Sequence, residues 1–170
     1  MGDTRLERLA DRHLEAVAEL VADPDVLRFT RIPVPTPPDF ARSWLASYER
    51  GRLDGTREGF AIVDAAGAVL GLALAPHIER EEATVELGYV VAPAARGRGV
   101  ATAALRLLTD WALGELGARR VELRIGVANE ASKRVAERCG YTREGVLRSL
   151  YLKPGVREDT EIWSRLPDDG

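Results

Sequence analysis

From Val100 onward, apolar residues at positions 101, 104, 105, 108, 111 and 112 fall along one stripe of a helix, and Gly117 supplies a stop after it. Other stretches have the period of a strand. FAIVD and AVLGLALA, joined by an AAG turn, read as a hairpin, and TVELGYVV reads as the strand that leads toward the long helix. VELRI alternates in the same way. Residues 4 to 9 predict a first strand, and Asp11 is placed to cap a helix with Leu14, Val17, Ala18 and Val21 on one face, ended by Asp23 and Pro24. The segment IPVPTPPDF holds four prolines and predicts extended chain rather than a helix or a central strand. After Asp39 a second helix sets Trp44 and Tyr48 on one face, packed on the core or turned toward a ligand. Asn129 caps a further helix. Two final strands flank KPG, where Pro154 and Gly155 suit the centre of a type II turn.

The resulting order, βα, α, ββ, βα, βα, ββ, predicts an α/β (α+β) chain with a sheet of about seven strands and about four helices. A helix between TVELGYVV and VELRI demands a crossover, so those two strands lie parallel in an otherwise antiparallel sheet. The length of 170 residues suits a single domain over 1–170 with a sizeable core. A net charge of −3 gives no global attraction to nucleic acid. The single cysteine, Cys139, excludes an internal disulfide framework, fits a reducing cytoplasm and lies on an apolar helix face as core packing. No apolar run approaches a membrane span, and Leu6 stands where a myristoylation motif beginning at Gly2 needs Ser or Thr. These features predict a soluble, cytoplasmic protein without a nucleic-acid or membrane partner. The two histidines, His13 on a helix surface and His77 near a strand end, have no metal-ligand spacing around them, so no metal is expected.

The stretch YVVAPAARGRGVAT, from Tyr89 to Thr102, carries the candidate chemistry. A strand passes through a glycine-punctuated basic turn into a helix, so unpaired amides and the helix dipole face any anion that approaches. Gly97 and Gly99 permit that approach, and Arg96 and Arg98 add charge. The spacing matches neither GxxxxGK[ST] nor GxGxxG. What remains is RxxGxA, made by Arg96, Gly99 and Ala101, with an ordinary surface loop as the alternative reading.

RxxGxA resembles the acyl-CoA pyrophosphate loop of the GNAT superfamily of N-acetyltransferases, and NEASKRVAERCGY, from Asn129 to Tyr141, resembles its next motif. The likeness covers most of the chain, from DPDVLRF to REDTEIWSRL. It is strongest toward the branch that acetylates the N-terminal amines of ribosomal proteins, with ELGYVV, NEAS, CGY and a late DxxxWS in order. The resemblance implies the GNAT fold, in which the central parallel strands splay apart to admit acetyl-CoA. It implies that the pyrophosphate rests on amides of Gly97, Arg98, Gly99, Val100, Ala101 and Thr102 beside Arg96, with Val90, Val91 and Asn129 also lining the cofactor. It places near Val91 the donor that stabilises the oxyanion.

The same resemblance implies a primary amine as partner, either a protein or peptide N-terminus or a small molecule such as an antibiotic. Direct attack needs that amine neutral. Glu86, on the cradle strand, is the first candidate to take its proton, with Asp159 and Glu161 behind it. Ser132 is the preferred donor to the departing thiolate, because Ala136 stands where many GNAT enzymes place a tyrosine. Phe29, Trp44 and Tyr48, with the hairpin around Lys153, border the acceptor pocket by resemblance. A succinyl donor, a noncatalytic acyl-CoA module and a structural interaction protein are the rival readings. A homodimer through the terminal strands is a further expectation.

Overall fold

Seven strands and five helices follow one another along residues 4–169, the part of the chain that the computed structural model describes. They are β1 (Arg5–Arg8), α1 (Leu14–Leu20), α2 (Pro24–Phe29), α3 (Phe40–Asp54), β2 (Glu58–Val63), β3 (Val69–Glu79), β4 (Thr84–Val91), α4 (Val100–Leu113), β5 (Arg120–Gly126), α5 (Glu130–Arg138), β6 (Thr142–Lys153) and β7 (Val156–Arg165). Gly2, where the lipidation motif would begin, lies outside the described residues.

One sheet holds all seven strands in the order β1-β2-β3-β4-β5-β7-β6, and β4 with β5 is its parallel pair. Helix α4 covers one face. Its Val100, Ala104, Leu105, Leu108 and Ala112 pack on Val85, Leu87, Val121 and Leu123 of the parallel pair. Buried leucines of this kind are each worth about 1.5–3 kcal/mol of transfer free energy, so the stripe legible in the sequence fixes this helix on the sheet. Cys139 is buried in the same cluster, as expected. Helices α1 and α3 cover the opposite face, where Val17, Leu20 and Leu45 meet Ala61, Val63 and Leu72.

The segment from Asp11 to Phe29 differs from expectation in three places. Asp11 does not cap α1; residues Asp11–His13 form a 3-10 turn, and the buried His13 accepts from the Ala10 amide through Nδ1 at 3.1 Å. His13 is therefore a packed residue rather than a surface one, and burial holds its pKa below the usual imidazole value. Asp23 and Pro24, read as a stop, also start a helix: Asp23 accepts from the Val26 amide at 3.0 Å and Pro24 occupies the first helical position. A proline there gives up only an amide that has no helical partner.

The parallel pairing is short. Its register runs from Thr84↔Arg120 to Leu87↔Leu123 and stops, while β4 continues to Val91 and β5 to Gly126. Beyond that point β4 stays paired with β3 up to Val91, and β5 stays paired with β7. The two strands separate between Gly88 and Val91, leaving a gap through the middle of the sheet. It opens beside the N-terminus of α4.

Candidate active site

The gap has main-chain donors along one wall. The Ala92 amide donates to the Leu70 carbonyl at 2.8 Å, on the β3 side. Successive amides of a strand point to opposite sides, so the Val91 N–H faces the gap, where the sequence reading placed it. At the gap's end the chain turns through Gly97 and Gly99, whose φ values of 72° and 78° are the left-handed conformations that favour glycine. A Cβ built on either would meet nothing within 4 Å, so the space in front of the turn is open. Helix α4 begins with no side-chain cap and no acid in its first turn, so the first-turn amides of Val100, Ala101 and Thr102 are left for a ligand. A diphosphate fits this surface.

The two cradle arginines divide their work. Arg98 is exposed and, among the described residues, forms no hydrogen bond or ion pair, so its charge is available to an anion. Arg96 is engaged elsewhere: its guanidinium meets Asp23 at 2.8 Å and Asp25 at 3.0 Å, and its Nε donates to the Val91 carbonyl. That clamp ties α2 to the cradle and holds the Asp23 carboxyl below the usual range.

Asn129 caps α5 as expected, its side chain accepting from the Ser132 amide at 3.2 Å. The Ser132 side chain is half-buried and faces the phenol of Tyr89, a residue of β4 that the sequence reading passed over. Burial pushes the Tyr89 hydroxyl up to about 12, with the Ser132 hydroxyl pulling the other way. The two hydroxyls make no hydrogen bond of good geometry, and the Tyr89 oxygen is buried without a partner among the described residues. An orphaned polar atom of this kind costs free energy unless a ligand or water completes it.

The carboxylates sort by side of the sheet. Glu86 stands on the face of α1 and α3, together with Val90, and is 9% exposed. Each of its oxygens faces an arginine: Arg31 donates to Oε1 at 2.6 Å and Arg124 lies 3.7 Å from Oε2. Glu161 is on the α5 side, accepting from the Trp163 indole at 2.9 Å and paired with Arg143 and Lys133. Asp159 accepts from the Ser149 amide at 2.8 Å across the last hairpin. Glu158, which the sequence reading did not select, projects over Gly126 at the end of β5; a Cβ at that glycine would lie 2.7 Å from its Oε1. Burial raises the Glu158 pKa, opposed by the charge of Lys153. Lys153 itself is buried and donates to the Leu27 carbonyl, so the tip of the last hairpin is fastened to α2.

The aromatic residues expected at the acceptor pocket, and His77, differ in burial. Trp44 is half-buried and stacks obliquely on Tyr48 at 4.6 Å, while Tyr48 is only 3% exposed and belongs to the core. Phe29 ends α2 under the guanidinium of Arg28. His77 is exposed on β3. Among the described residues no group of three or more His, Cys, Asp or Glu is arranged to hold a metal ion, and no helix is long and apolar enough to cross a membrane.

The splayed pair, the uncapped helix and the open glycine turn lie together at one end of the gap. A model of the acetyltransferase (GNAT) domain matches residues 3–142, and the chain belongs to that family. Among curated proteins it is 38% identical over 87 residues to the "Probable N-acetyltransferase YjcK" of Bacillus subtilis, an alignment covering 51% of this chain and 48% of that one. The chain spans about half the length of the curated relatives it matches at this level of identity. Among solved structures it superposes on RimL, the ribosomal L7/L12 alpha-N-protein acetyltransferase in complex with coenzyme A, with a TM-score of 0.87, 20% identity and coverage of 98% of this chain and 96% of that one. The spermidine N-acetyltransferase of Vibrio cholerae, in complex with CoA and spermine, gives 0.86 at 20% identity with the same coverage. At such identities the likeness establishes the fold: a mixed, mostly antiparallel sheet with a central splayed pair.

Proposed function

We propose that this chain is an N-acetyltransferase that moves an acetyl group from acetyl-CoA to a primary amine by direct attack within a ternary complex. The observation that carries the reading is the gap between β4 and β5 beyond Leu87 and Leu123, which opens onto the uncapped N-terminus of α4. The amides from Gly97 to Thr102, with Arg98, hold the diphosphate. Val90 and Val91 line the acyl-bearing arm, and the Val91 N–H stabilises negative charge that develops on the thioester oxygen. Acetyl-CoA supplies the activated acyl carbon. Asn129 orders the start of α5 and sets Ser132 beside the gap, where its hydroxyl gives a proton toward the departing sulfur.

An α-amino group, with a pKa of about 7.7–8.0, loses its proton near neutrality far more readily than a lysine side chain at about 10.4. That favours a protein or peptide N-terminus as acceptor, in keeping with the RimL likeness, and a small-molecule amine is the second substrate class. The single buried Cys139 suits a reducing, cytoplasmic setting.

The test is purified protein with acetyl-CoA and a panel of amines, assayed for thiol release, with succinyl-CoA run in parallel. Release that depends on the amine supports the reading. Tight coenzyme A binding with no release from any amine would replace it with a noncatalytic acyl-CoA module.

A further inference from the structure

On the face of the sheet that carries Glu86, the strand carboxylates around the parallel pair are neutralised one by one. Glu86 is held by Arg31 and Arg124, and Glu122 and Glu144 by Arg120. Glu158 is the exception: among the described residues it forms no ion pair and no side-chain hydrogen bond. Residues 122, 124 and 126 of β5 share this face by strand alternation, so Gly126, under the Glu158 carboxylate, is roughly 7 Å along the strand from Arg124. Both stand where β5 has left β4, at the exit of the gap. The positive side of the balance is equally specific. Two guanidinium groups converge on the single carboxylate of Glu86, and their side chains keep 49% and 37% exposure. They have a surplus positive charge and unused N–H donors facing solvent.

We propose, building on the acyl-transfer reading above, that Glu158 receives the acceptor's amine while Arg31 and Arg124 receive an anionic group of the same molecule, a carboxylate or a phosphate. The preferred substrate is then a primary amine with an anion a few bonds away. A polyamine is disfavoured, since its second ammonium meets two arginines where it needs another free carboxylate. The ammonium gives one proton to Glu158 before attack. As the nitrogen bonds to the acyl carbon and the carbon–sulfur bond breaks, the second proton leaves nitrogen and is relayed through the Ser132 hydroxyl to the departing sulfur, and Glu158 returns its own to water. Lys153, held by Leu27, keeps the hairpin that carries Glu158 against α2, so both halves of the subsite are on anchored elements.

The test uses the whole chain with acetyl-CoA and matched acceptors: alanyl-glutamyl and alanyl-glutaminyl peptide amides, phosphoethanolamine and ethanolamine, and spermidine. The anionic member of a pair is expected to exceed its neutral partner by about tenfold or more in kcat/KM, the scale of a charge-assisted contact. The peptide and phosphate pairs distinguish the source of the anion. Arg124→Gln and Arg31→Gln should abolish the preference, read as the ratio of kcat/KM between the anionic and neutral partners within each variant, and Arg124→Lys should keep part of it. Glu158→Gln should cost roughly a hundredfold on every acceptor, with Glu158→Asp recovering some of that loss. Calorimetry of the same acceptors against the coenzyme A complex reads the charge preference without turnover, and melting curves exclude variants that fail to fold. Equal rates on anionic and neutral partners, or spermidine as the best acceptor, would overturn the assignment while leaving acyl transfer intact. Absence of thiol release from every amine would instead remove the transfer reading, and equal binding of all acceptors would remove the subsite with it.

Discussion

Arg96 and Arg98 are two residues apart and carry the same charge, yet the fold assigns them different tasks. Arg98 projects from the glycine turn without an ion pair among the described residues, whereas Arg96 is spent on Asp23, Asp25 and the Val91 carbonyl. Arg98→Ala should therefore weaken coenzyme A binding by about tenfold or more, the equivalent of one charge-assisted hydrogen bond. Arg96→Ala should cost less donor affinity and more thermal stability, because it releases α2 and strands two acids; calorimetry and melting curves separate the two. A similar contrast holds at Ser132 and Tyr89. Ser132→Ala should lower kcat by roughly ten- to a hundredfold with donor affinity nearly unchanged, as for loss of one proton donor. Tyr89→Phe removes a buried hydroxyl that has no hydrogen-bond partner among the described residues, so its melting temperature should not fall. A fall would mean the hydroxyl is already satisfied in the free protein.

What the sequence made legible follows from the distance over which each signal acts. Helix α4 was visible because its stripe repeats over four turns, and the KPG hairpin because two residues specify it; Gly155 has the positive φ, 75°, that a type II turn needs. The parallel pair was deducible from connectivity alone. Helix α2 was hidden because Asp23 and Pro24 serve equally well as the end of one helix and the start of another, and six residues give periodicity too little length to show. The glycine turn and the start of α4 were legible, since their signals are main-chain and local. The acceptor side was not. Arg31 comes from an irregular proline-rich segment, Arg124 from β5 and Glu158 from β7, and only the folded sheet brings them to one face. Asp159, a candidate from the sequence, accepts from the Ser149 amide across its own hairpin, a contact that spacing along the chain does not reveal. Burial of the α4 stripe also predicts a large stability loss: Leu108→Ala, at a fully buried position, should cost about 2–5 kcal/mol in denaturant unfolding.

At the scale of the whole molecule, β6 is a long edge strand of the sheet, and besides its backbone ladder with β7 it has an ion pair that reaches back to β5. Arg120 of β5 reaches past β7 to grip the Glu144 carboxylate through both terminal nitrogens, at 2.8 and 2.6 Å, while also meeting Glu122, and Ser164 of β7 donates to the same carboxylate. Arg120 first, then Ser164, hold the Glu144 carboxyl down to about 2, from an ordinary value of 4.5. The sign of the linkage follows. A carboxylate whose pKa is lower in the folded chain than in the unfolded one contributes stability above the unfolded value and loses it as pH falls through the folded one. Glu144 should therefore help the fold fully at pH 7 and progressively less between about 4.5 and 2. Its side chain is 41% exposed, so solvent screening limits the contribution to the order of 1 kcal/mol or less. Glu144→Gln should be less stable than the parent at pH 7 by an amount that shrinks toward zero near pH 2, and high salt should narrow the gap at neutral pH. Urea midpoints of parent and variant, taken as a difference at each pH, isolate this carboxylate from the other acids that titrate in the same range. A difference that stays constant with pH would show that Glu144 supports the edge strand by packing alone, and that the ion pairs across β7 add nothing to it.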